Sequence, residues 1–232
     1  MTIQGGCTSS DAARLVLWRR VLAALALLAC SAAHAAPPIW QGHGPCRLLI
    51  FGDSLAARWS SPAPAGWRQV IIGTAGARAA DLVPDAAAAV ATHRPRAVLV
   101  LAGSNDARDA ALWPWGDAVE RAAAAIAAIA RTGQAAKARV VVADLLPPGP
   151  QPWWRALLIG DRQGHAMAAI SAQWALPAGT RRLPVARLLA GGDGIDPAVR
   201  SDHIHYSAAG YTRLAAGLAP LIQDACADFG VG

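Results

Sequence analysis

Lysine is almost absent from this sequence. Lys137 is the only one, and the other basic residues are arginines scattered along the chain. The net charge of +6 is therefore not gathered into a basic run interleaved with aromatic side chains, which a nucleic-acid surface would need. The sequence also lacks a cluster of histidine, cysteine and carboxylate side chains at metal-ligand spacing. We therefore expect no nucleic-acid partner, and no motif requires a metal or an organic cofactor.

The N-terminus lacks an apolar run long enough for a permanent membrane span, which needs about 20 residues. Its apolar stretch, residues 21–29, follows Arg19 and Arg20 and precedes a small-residue site at 33–35 (Ala-His-Ala). This order is typical of a secretory signal peptide. We predict that residues 1–35 are a signal peptide, residues 36–46 a lead-in, and residues 47–228 the folded domain.

Residues 27–30 (Leu-Leu-Ala-Cys) allow a second interpretation of the N-terminus. They resemble the lipobox of bacterial lipoproteins, in which a cysteine after the apolar stretch is acylated and becomes the mature N-terminus. Leu28 fits that pattern poorly, so cleavage after Ala35 is the favoured interpretation. The protein is then periplasmic or secreted, whereas a lipoprotein would be anchored through Cys30. A membrane contact is expected only in the second case.

Cysteine is scarce, and signal-peptide removal would leave Cys46 and Cys226. An exported protein can keep a disulfide. Cys46 starts the first predicted strand, and Cys226 lies near the end of a helix predicted from about residue 208. That helix would run about 27 Å back to the edge of the sheet where the strand starts. We predict that these two cysteines are bridged, with two buried free thiols as the alternative.

Short apolar runs alternate with helical stretches in the rest of the chain. Runs rich in valine, leucine and isoleucine predict buried parallel strands at 47–51, 69–72, 97–102 and 139–143, with a weaker fifth at 183–186. Helices are predicted at 79–93, 115–132, 157–174 and 207–227. The alternation predicts an α/β fold, a single-domain three-layer α/β/α sandwich around a mostly parallel sheet of about five strands.

Three polar blocks follow the first three predicted strands, and a fourth lies near the end of the chain. They are 52–55 (Gly-Asp-Ser-Leu), 73–76 (Gly-Thr-Ala-Gly), 103–106 (Gly-Ser-Asn-Asp) and 202–205 (Asp-His-Ile-His). Ligands of open α/β sheets bind beyond the carboxyl ends of the strands. We therefore expect the first three blocks to share one rim of the sheet, with the fourth reaching it from a loop.

These blocks resemble those of the SGNH, or GDSL, hydrolase superfamily, in particular its small single-domain bacterial esterases and lysophospholipase- or thioesterase-like members. The resemblance covers roughly residues 48–218 and implies a flavodoxin-like fold. It implies Ser54 as the nucleophile, His205 as the general base and then acid, and Asp202 as the residue that orients the imidazole. It also implies an oxyanion hole formed by the backbone N–H groups of Ser54 and Gly76 and the side chain of Asn105.

The chemistry of these residue types agrees with such roles. A serine hydroxyl is weakly nucleophilic until a base takes its proton, so His205 must reach Ser54, and Asp202 must hold the correct imidazole tautomer. The substrate carbonyl oxygen gains charge as it becomes tetrahedral, and loss of one donor to it typically costs about 3 to 4 kcal/mol. Within the second block Gly76 is the better candidate for the backbone donor, and Gly73 is the alternative.

Nine tryptophans are many for a chain of this length. Trp113 and Trp115 follow the third block, and Trp153 and Trp154 follow the fourth strand. We expect some of these rings to line an acyl or sugar pocket, with a place over the core as the alternative. Arg78 is a candidate for positioning an anionic or polar substrate, against the alternative of a surface salt bridge.

The sequence thus predicts an exported serine esterase that hydrolyses short-chain acyl, acetyl or lysophospholipid-type esters through an acyl-serine intermediate. Its expected partner is a small-molecule, glycan or lipid ester. An O-acetyltransferase of envelope polysaccharide is the alternative, because the same site can pass an acyl group to a sugar hydroxyl. A non-catalytic carbohydrate-binding protein is less favoured, because Ser54, Asn105 and His205 have no packing reason to occur together.

Overall fold

The computed structural model of the protein describes residues 39–113, 117–192 and 194–229. The predicted signal peptide at 1–35, with Cys30, and Trp115 lie outside the described residues. Five parallel strands form the sheet in the order β2-β1-β3-β4-β5. They are β1 (Cys46–Gly52), β2 (Trp67–Gly73), β3 (Ala97–Leu101), β4 (Arg139–Ala143) and β5 (Arg181–Leu183).

Helices follow the strands, and a short hairpin precedes the last long helix. The α-helices are α1 (Ser54–Ala57), α2 (Leu82–His93), α3 (Ser104–Leu112), α4 (Ala118–Ala135), α5 (Trp153–Ile159), α6 (Arg162–Ala172), α7 (Val185–Leu188) and α8 (Ala208–Ile222). The antiparallel hairpin pairs β6 (Ala190–Gly191) with β7 (Gly194–Ile195). Two 3-10 helices span Pro197–Val199 and Gln223–Phe229.

Successive residues of the central strands face opposite layers, because side chains alternate along a strand. Leu49 and Phe51 of β1 pack with α2, α3, α4 and α6, whereas Leu48 and Ile50 pack with α1, α7 and α8. A strand covered on both faces needs apolar residues at every position, which explains the continuous runs in the sequence. The three-layer α/β/α prediction is confirmed, and the described residues from Ile39 onward form one compact unit.

The helix predicted at 157–174 is wrong as a single element. The chain forms α5 and α6 instead, with a break at Gly160, whose φ of +54° lies in the left-handed region that ends helices. The sequence pattern does not reveal this break, because the residues on both sides of Gly160 favour a helix. The structure also adds α3, a helix that starts inside the third polar block and was not predicted.

The fifth strand lies earlier than predicted at 183–186. Its first two residues are Arg181 and Arg182, and the chain after it turns into α7. Arginines are tolerated here because β5 is an edge strand, where charged side chains are common. The Arg181 guanidinium binds Asp224 at 2.7 Å, and the Arg182 guanidinium binds Asp144 at 2.8 Å. An apolar pattern does not detect such a strand.

A disulfide joins Cys46 and Cys226, as predicted, with 6.1 Å between the Cα atoms. Cys46 begins β1 at the edge of the sheet opposite the polar blocks, and Cys226 lies in the 3-10 helix after α8. The fifteen residues of α8 cover about 22 Å, so the helix carries the chain back across the sheet. The bridge closes the fold at the end far from the blocks.

Close packing at the carboxyl end of β1 and β2 requires two glycines. A Cβ at Gly52 would overlap the carbonyl oxygen of Leu101 in β3. A Cβ at Gly73 would overlap the backbone nitrogen of Ala57 in α1. Gly52 thus allows the close approach of β1 to β3, and Gly73 lets α1 sit directly against the end of β2.

A buried carboxylate lies at the same end of the sheet. Asp53 is fully buried, and its Oδ1 accepts a hydrogen bond from the backbone N–H of Leu55 at 2.9 Å. Its Oδ2 accepts the hydroxyl hydrogen of Ser104 at 2.8 Å. Asp53 therefore caps α1 and binds the first residue of α3. Burial raises its pKa from 3.8 to about 6, although these hydrogen bonds act in the opposite direction.

The raised pKa of Asp53 makes stability depend on pH. The unfolded chain releases this proton near pH 3.8, whereas the folded chain keeps it until about pH 6. The folded state therefore binds more protons between these values, and stability falls as the pH rises through them. Two pKa units correspond to about 3 kcal/mol. Relative to Asp53→Asn, the wild type should lose about that much unfolding free energy from about pH 4 to pH 7, measured by urea denaturation. A difference that stays constant with pH would contradict this assignment.

The disulfide should contribute strongly to stability because it closes a loop of 180 residues. The double variant Cys46→Ala/Cys226→Ala is expected to lose up to about 4 to 5 kcal/mol of unfolding free energy, measured by guanidinium denaturation. Reductant should lower the stability of the wild type and leave the variant unchanged. Free thiols at both cysteines in unreduced, denatured wild type would show that the bridge does not form.

Candidate active site

Ser54 lies at the junction between β1 and α1. The strand ends at Gly52, Asp53 caps the helix, and Ser54 is its first residue. The side chain of Asp53 is turned inward to the buried contacts described above, and Ser54 is partly exposed at the rim. The first N–H groups of a helix have no intrahelical partner. The tight turn therefore presents a hydroxyl together with a backbone N–H donor at the carboxyl edge of the sheet.

A chain of two hydrogen bonds links Ser54 to the last polar block. The Oγ of Ser54 lies 2.9 Å from Nε2 of His205. The Nδ1 of His205 lies 2.7 Å from Oδ2 of Asp202. An ionised carboxylate can only accept, so Nδ1 carries the proton and Nε2 of the neutral ring is free to accept from the serine hydroxyl. The structure thus brings these three predicted residues into hydrogen-bond contact.

Asp202 is held in its ionised form by its own segment. Partial burial acts to raise its pKa, but the backbone N–H groups of His205 and Ile204 and the ring of His205 outweigh burial and hold that pKa well below its usual value. The two backbone donors lie 2.7 and 2.8 Å from Oδ1. The guanidinium of Arg58 lies 3.5 Å from Oδ2. The carboxylate is therefore fixed in position and stays charged at neutral pH.

Asn105 lies in the first turn of α3, next to the loop after β2. Its Nδ2 donates a hydrogen bond to the carbonyl oxygen of Ala77 at 2.9 Å. An amide nitrogen carries two hydrogens, so a second one is left for another acceptor. Gly76, the residue before Ala77, has a φ of +83°, which favours glycine. The two candidate donors, the backbone N–H of Gly76 and the side-chain amide of Asn105, thus lie on segments that contact each other.

Gly73 and Gly76 hold different places. Gly73 is the last residue of β2, pairs with Gly52 and packs against α1. Gly76 lies in the loop beyond the strand. A buried carboxylate steadies this loop, because Oδ2 of Asp106 accepts the N–H of Ala79 at 2.9 Å. Burial raises the pKa of Asp106. The loop that carries Gly76 is therefore bound to α3 through Ala77 and Ala79.

Arg78 forms a salt bridge, which was the alternative to a role in substrate positioning. Its Nε lies 2.6 Å from Oδ2 of Asp109 in α3. Arg78 and Trp113 both line a cavity of about 220 Å³ that also includes Asp106 and Asp109. Trp113 itself is 66% exposed. The two residues thus lie at one cavity, with the Arg78 charge already paired.

Trp153 and Trp154 lie on the outer surface of α5. Trp153 is 79% exposed and Trp154 is also exposed. A cavity of about 590 Å³ lies beside this helix, and its walls come from the loop after β4, from Ala156 of α5 and from α6. The two rings thus stand out into solvent, which is neither the predicted pocket position nor the alternative position over the core.

Three residues near the site were not singled out from the sequence. Ser104 binds the buried Asp53 carboxylate, and Arg58 lies beside Asp202. The hydroxyl of Tyr211 in α8 donates to the carbonyl oxygen of Leu55 at 2.8 Å, which joins α8 to α1. Only Ser104 had a signal in the sequence, because it sits inside the third polar block. The other two contacts depend on tertiary packing.

Within the described ranges, no group of three or more histidine, cysteine or carboxylate side chains is placed to hold a metal ion. None of the helices in the described part of the chain has both the length and the apolar character for a membrane span.

Solved structures resemble this chain in fold. A GDSL-like lipase from Bacteroides thetaiotaomicron matches with a TM-score of 0.60 and 21% identity, over 77% of this chain and 88% of the other. An acetylxylan esterase from Geobacillus stearothermophilus matches with a TM-score of 0.54 and 16% identity, over 78% and 96%. An aryl esterase from M. smegmatis matches with a TM-score of 0.55 and 17% identity, over 77% and 99%. These likenesses establish the fold.

No curated protein matches the chain in sequence. The model of the GDSL-like Lipase/Acylhydrolase family matches residues 50–213, which include all four polar blocks. The chain therefore belongs to the GDSL-like lipase/acylhydrolase family, whose members are hydrolases of carboxylic esters.

Proposed function

We propose that the protein is an exported serine esterase in which Ser54 is the nucleophile, His205 the general base and then acid, and Asp202 the orienting carboxylate. The observation that carries this proposal is the hydrogen-bonded chain from Ser54 Oγ through the His205 ring to Asp202, with distances of 2.9 and 2.7 Å. A nucleophile in contact with a base, and a base oriented by a third group, is the arrangement that activates a serine.

The first half of the reaction forms an acyl-serine. Nε2 of His205 takes the hydroxyl proton as Ser54 Oγ bonds to the substrate carbonyl carbon, and the carbonyl oxygen becomes an oxyanion. Asp202 stabilises the imidazolium that results. The tetrahedral intermediate then expels the alcohol, which takes the proton from Nε2, and the acyl group stays on Oγ. Water repeats the same steps in the second half and releases the carboxylic acid.

The oxyanion is stabilised by the backbone N–H groups of Ser54 and Gly76 and by the Asn105 amide. The bond from Asn105 to Ala77 fixes the orientation of that amide, so its second hydrogen is positioned before the substrate arrives. Donors that need no reorganisation during the reaction contribute most to the rate. The buried link from Asp53 to Ser104 holds the helix that carries Asn105 against the turn that carries Ser54.

The proposed substrates are small or single-chain esters, with short-chain acyl, acetyl and lysophospholipid-type groups. An open rim supports this class, because Ser54 and Asp202 are only partly buried. An acetylxylan esterase and an aryl esterase share the fold, which makes acetylated glycans and aryl esters suitable probes. Export is supported by the pattern at residues 1–35 and by the disulfide between Cys46 and Cys226, a bond that oxidising compartments preserve.

A series of p-nitrophenyl esters from acetate to palmitate tests this function. Purified residues 36–232 should hydrolyse a part of the series, and the acyl length preferred will identify the substrate class. Ser54→Ala should lower kcat at least about a thousandfold, because the covalent route is lost while the oxyanion donors remain. The exposed Ser60→Ala is the matched control and should keep wild-type activity.

Two results would contradict the proposal. Hydrolysis that survives in Ser54→Ala would exclude Ser54 as the nucleophile. A folded wild type that hydrolyses no ester, but transfers an acyl group when a polysaccharide acceptor is supplied, would instead identify an O-acetyltransferase.

A further inference from the structure

Exposed large apolar side chains are concentrated in one region of the described residues. Apart from Ile39, they lie at the end of α3 and along α5 and comprise Leu112, Trp113, Trp153, Trp154, Leu157 and Leu158. We call this set the apolar platform. Trp153 is 79% and Leu157 78% exposed. The helices α3 and α5 contact each other, so the platform residues lie on two neighbouring helices.

Helix α5 is apolar on its outer side as well as its inner side. Its sequence is Trp-Trp-Arg-Ala-Leu-Leu-Ile, and Ile159 is its buried residue. A helix that only covered the core would carry polar residues on the face turned to water. Each exposed leucine or tryptophan leaves unfavourable apolar surface in water, and exposed apolar side chains gathered on one helix are typical of a binding surface.

The charges around the platform are mostly positive. Residues 153–163, which include α5 and the start of α6, contain two arginines and a single carboxylate, Asp161. Arg155 lies within α5, where it binds the side chain of Gln163, and Arg162 follows at the start of α6. Arg108 of α3 forms a salt bridge with Asp109, and Asp109 also forms one with Arg78. Apolar side chains flanked by arginines are complementary to a membrane surface with anionic lipids.

The platform is connected to the segment that holds the proposed acid and base. The loop after β4 leads into α5, and the N–H of Gly149 in this loop donates to the carbonyl oxygen of His203 at 2.7 Å. The guanidinium of Arg200 binds the carbonyl oxygen of Pro147 at 2.7 Å. A ligand surface that binds to α5 would therefore lie close to the segment with Asp202 and His205.

We propose that the apolar platform docks on the surface of a membrane that contains anionic phospholipids. Tryptophan rings favour the headgroup level, and the leucines reach the acyl boundary. Docking would bring the site next to esters held in the bilayer, and this consequence for the substrate rests on the proposed function. A second copy of the chain fits less well, because a symmetric contact would bring the same arginine-bearing surface of two molecules together. A glycan fits less well, because its hydroxyl groups would face the apolar side chains of Leu157 and Leu158.

Vesicle binding by residues 36–232 tests the docking. The compact unit that begins at Ile39 contains the whole sheet and both apolar layers. Omitting residues 1–35 also removes the apolar stretch at 21–29, which could itself bind vesicles. The Ser54→Ala form is used so that no lipid is consumed. It should co-sediment with vesicles of phosphatidylcholine and about a fifth phosphatidylglycerol, less with phosphatidylcholine alone, and less at high salt.

The matched variants separate the platform from exposed apolar residues in general. Leu157→Gln/Leu158→Gln should weaken vesicle binding by roughly tenfold or more. Ile39→Gln, at a position that is 82% exposed but outside the platform, should leave binding unchanged. Trp153→Ser provides a second platform variant with the same expected direction. Thermal unfolding of each variant checks that the fold is kept.

Several outcomes would overturn the docking proposal. These are an absence of vesicle binding at low salt, an equal loss of binding in Ile39→Gln, or sedimentation equilibrium showing that the platform is covered by a second copy. Binding to a polysaccharide without binding to vesicles would also overturn it. With Ser54 intact, Leu157→Gln/Leu158→Gln should still hydrolyse a soluble ester. If no ester is hydrolysed while the platform-dependent vesicle binding is observed, the proposed function fails and the docking stands.

Discussion

The contact between the buried Asp53 carboxylate and the starts of two helices fixes the positions of Ser54 and Asn105 at the rim of the sheet. One oxygen caps α1, where Ser54 is the first residue, and the other binds Ser104, the residue before Asn105. Burying a carboxylate is costly, and here its hydrogen bonds compensate only in part, since its pKa remains raised. This contact holds the turn with Ser54 and the helix with Asn105 at a fixed separation.

Most of the architecture could be predicted from the sequence because buried parallel strands have an apolar residue at every position. Strand β4 was predicted with its observed bounds, and the polar blocks followed from strand ends. Elements that depend on other signals were missed or misplaced. Arg181 and Arg182 mark an edge strand whose charges are paired across the surface, and Gly160 breaks an otherwise uniform helical stretch. Contacts such as Tyr211 with Leu55 exist only after folding.

The chain separates stabilising and reactive features between opposite ends of the sheet. The disulfide joins the start of β1 to the segment after α8, while the carboxyl ends of β1, β2 and β3 carry the polar blocks. Helix α8 connects the two ends, because it starts just after His205 and its Tyr211 holds α1. The loop that leads to the apolar platform binds the His203 carbonyl, next to the segment with Asp202 and His205. Recognition of a surface and ester chemistry would thus occur on the same side of the molecule.

The central claim is that Ser54 forms a covalent bond with its substrate. The measurement that tests it most directly is the mass of the protein after reaction with a fluorophosphonate, which traps activated serines, followed by peptide mapping. The account predicts a single adduct on Ser54, which is lost in His205→Ala and retained in Ser60→Ala. An adduct on another residue, or an unlabelled protein that still hydrolyses esters, would contradict it.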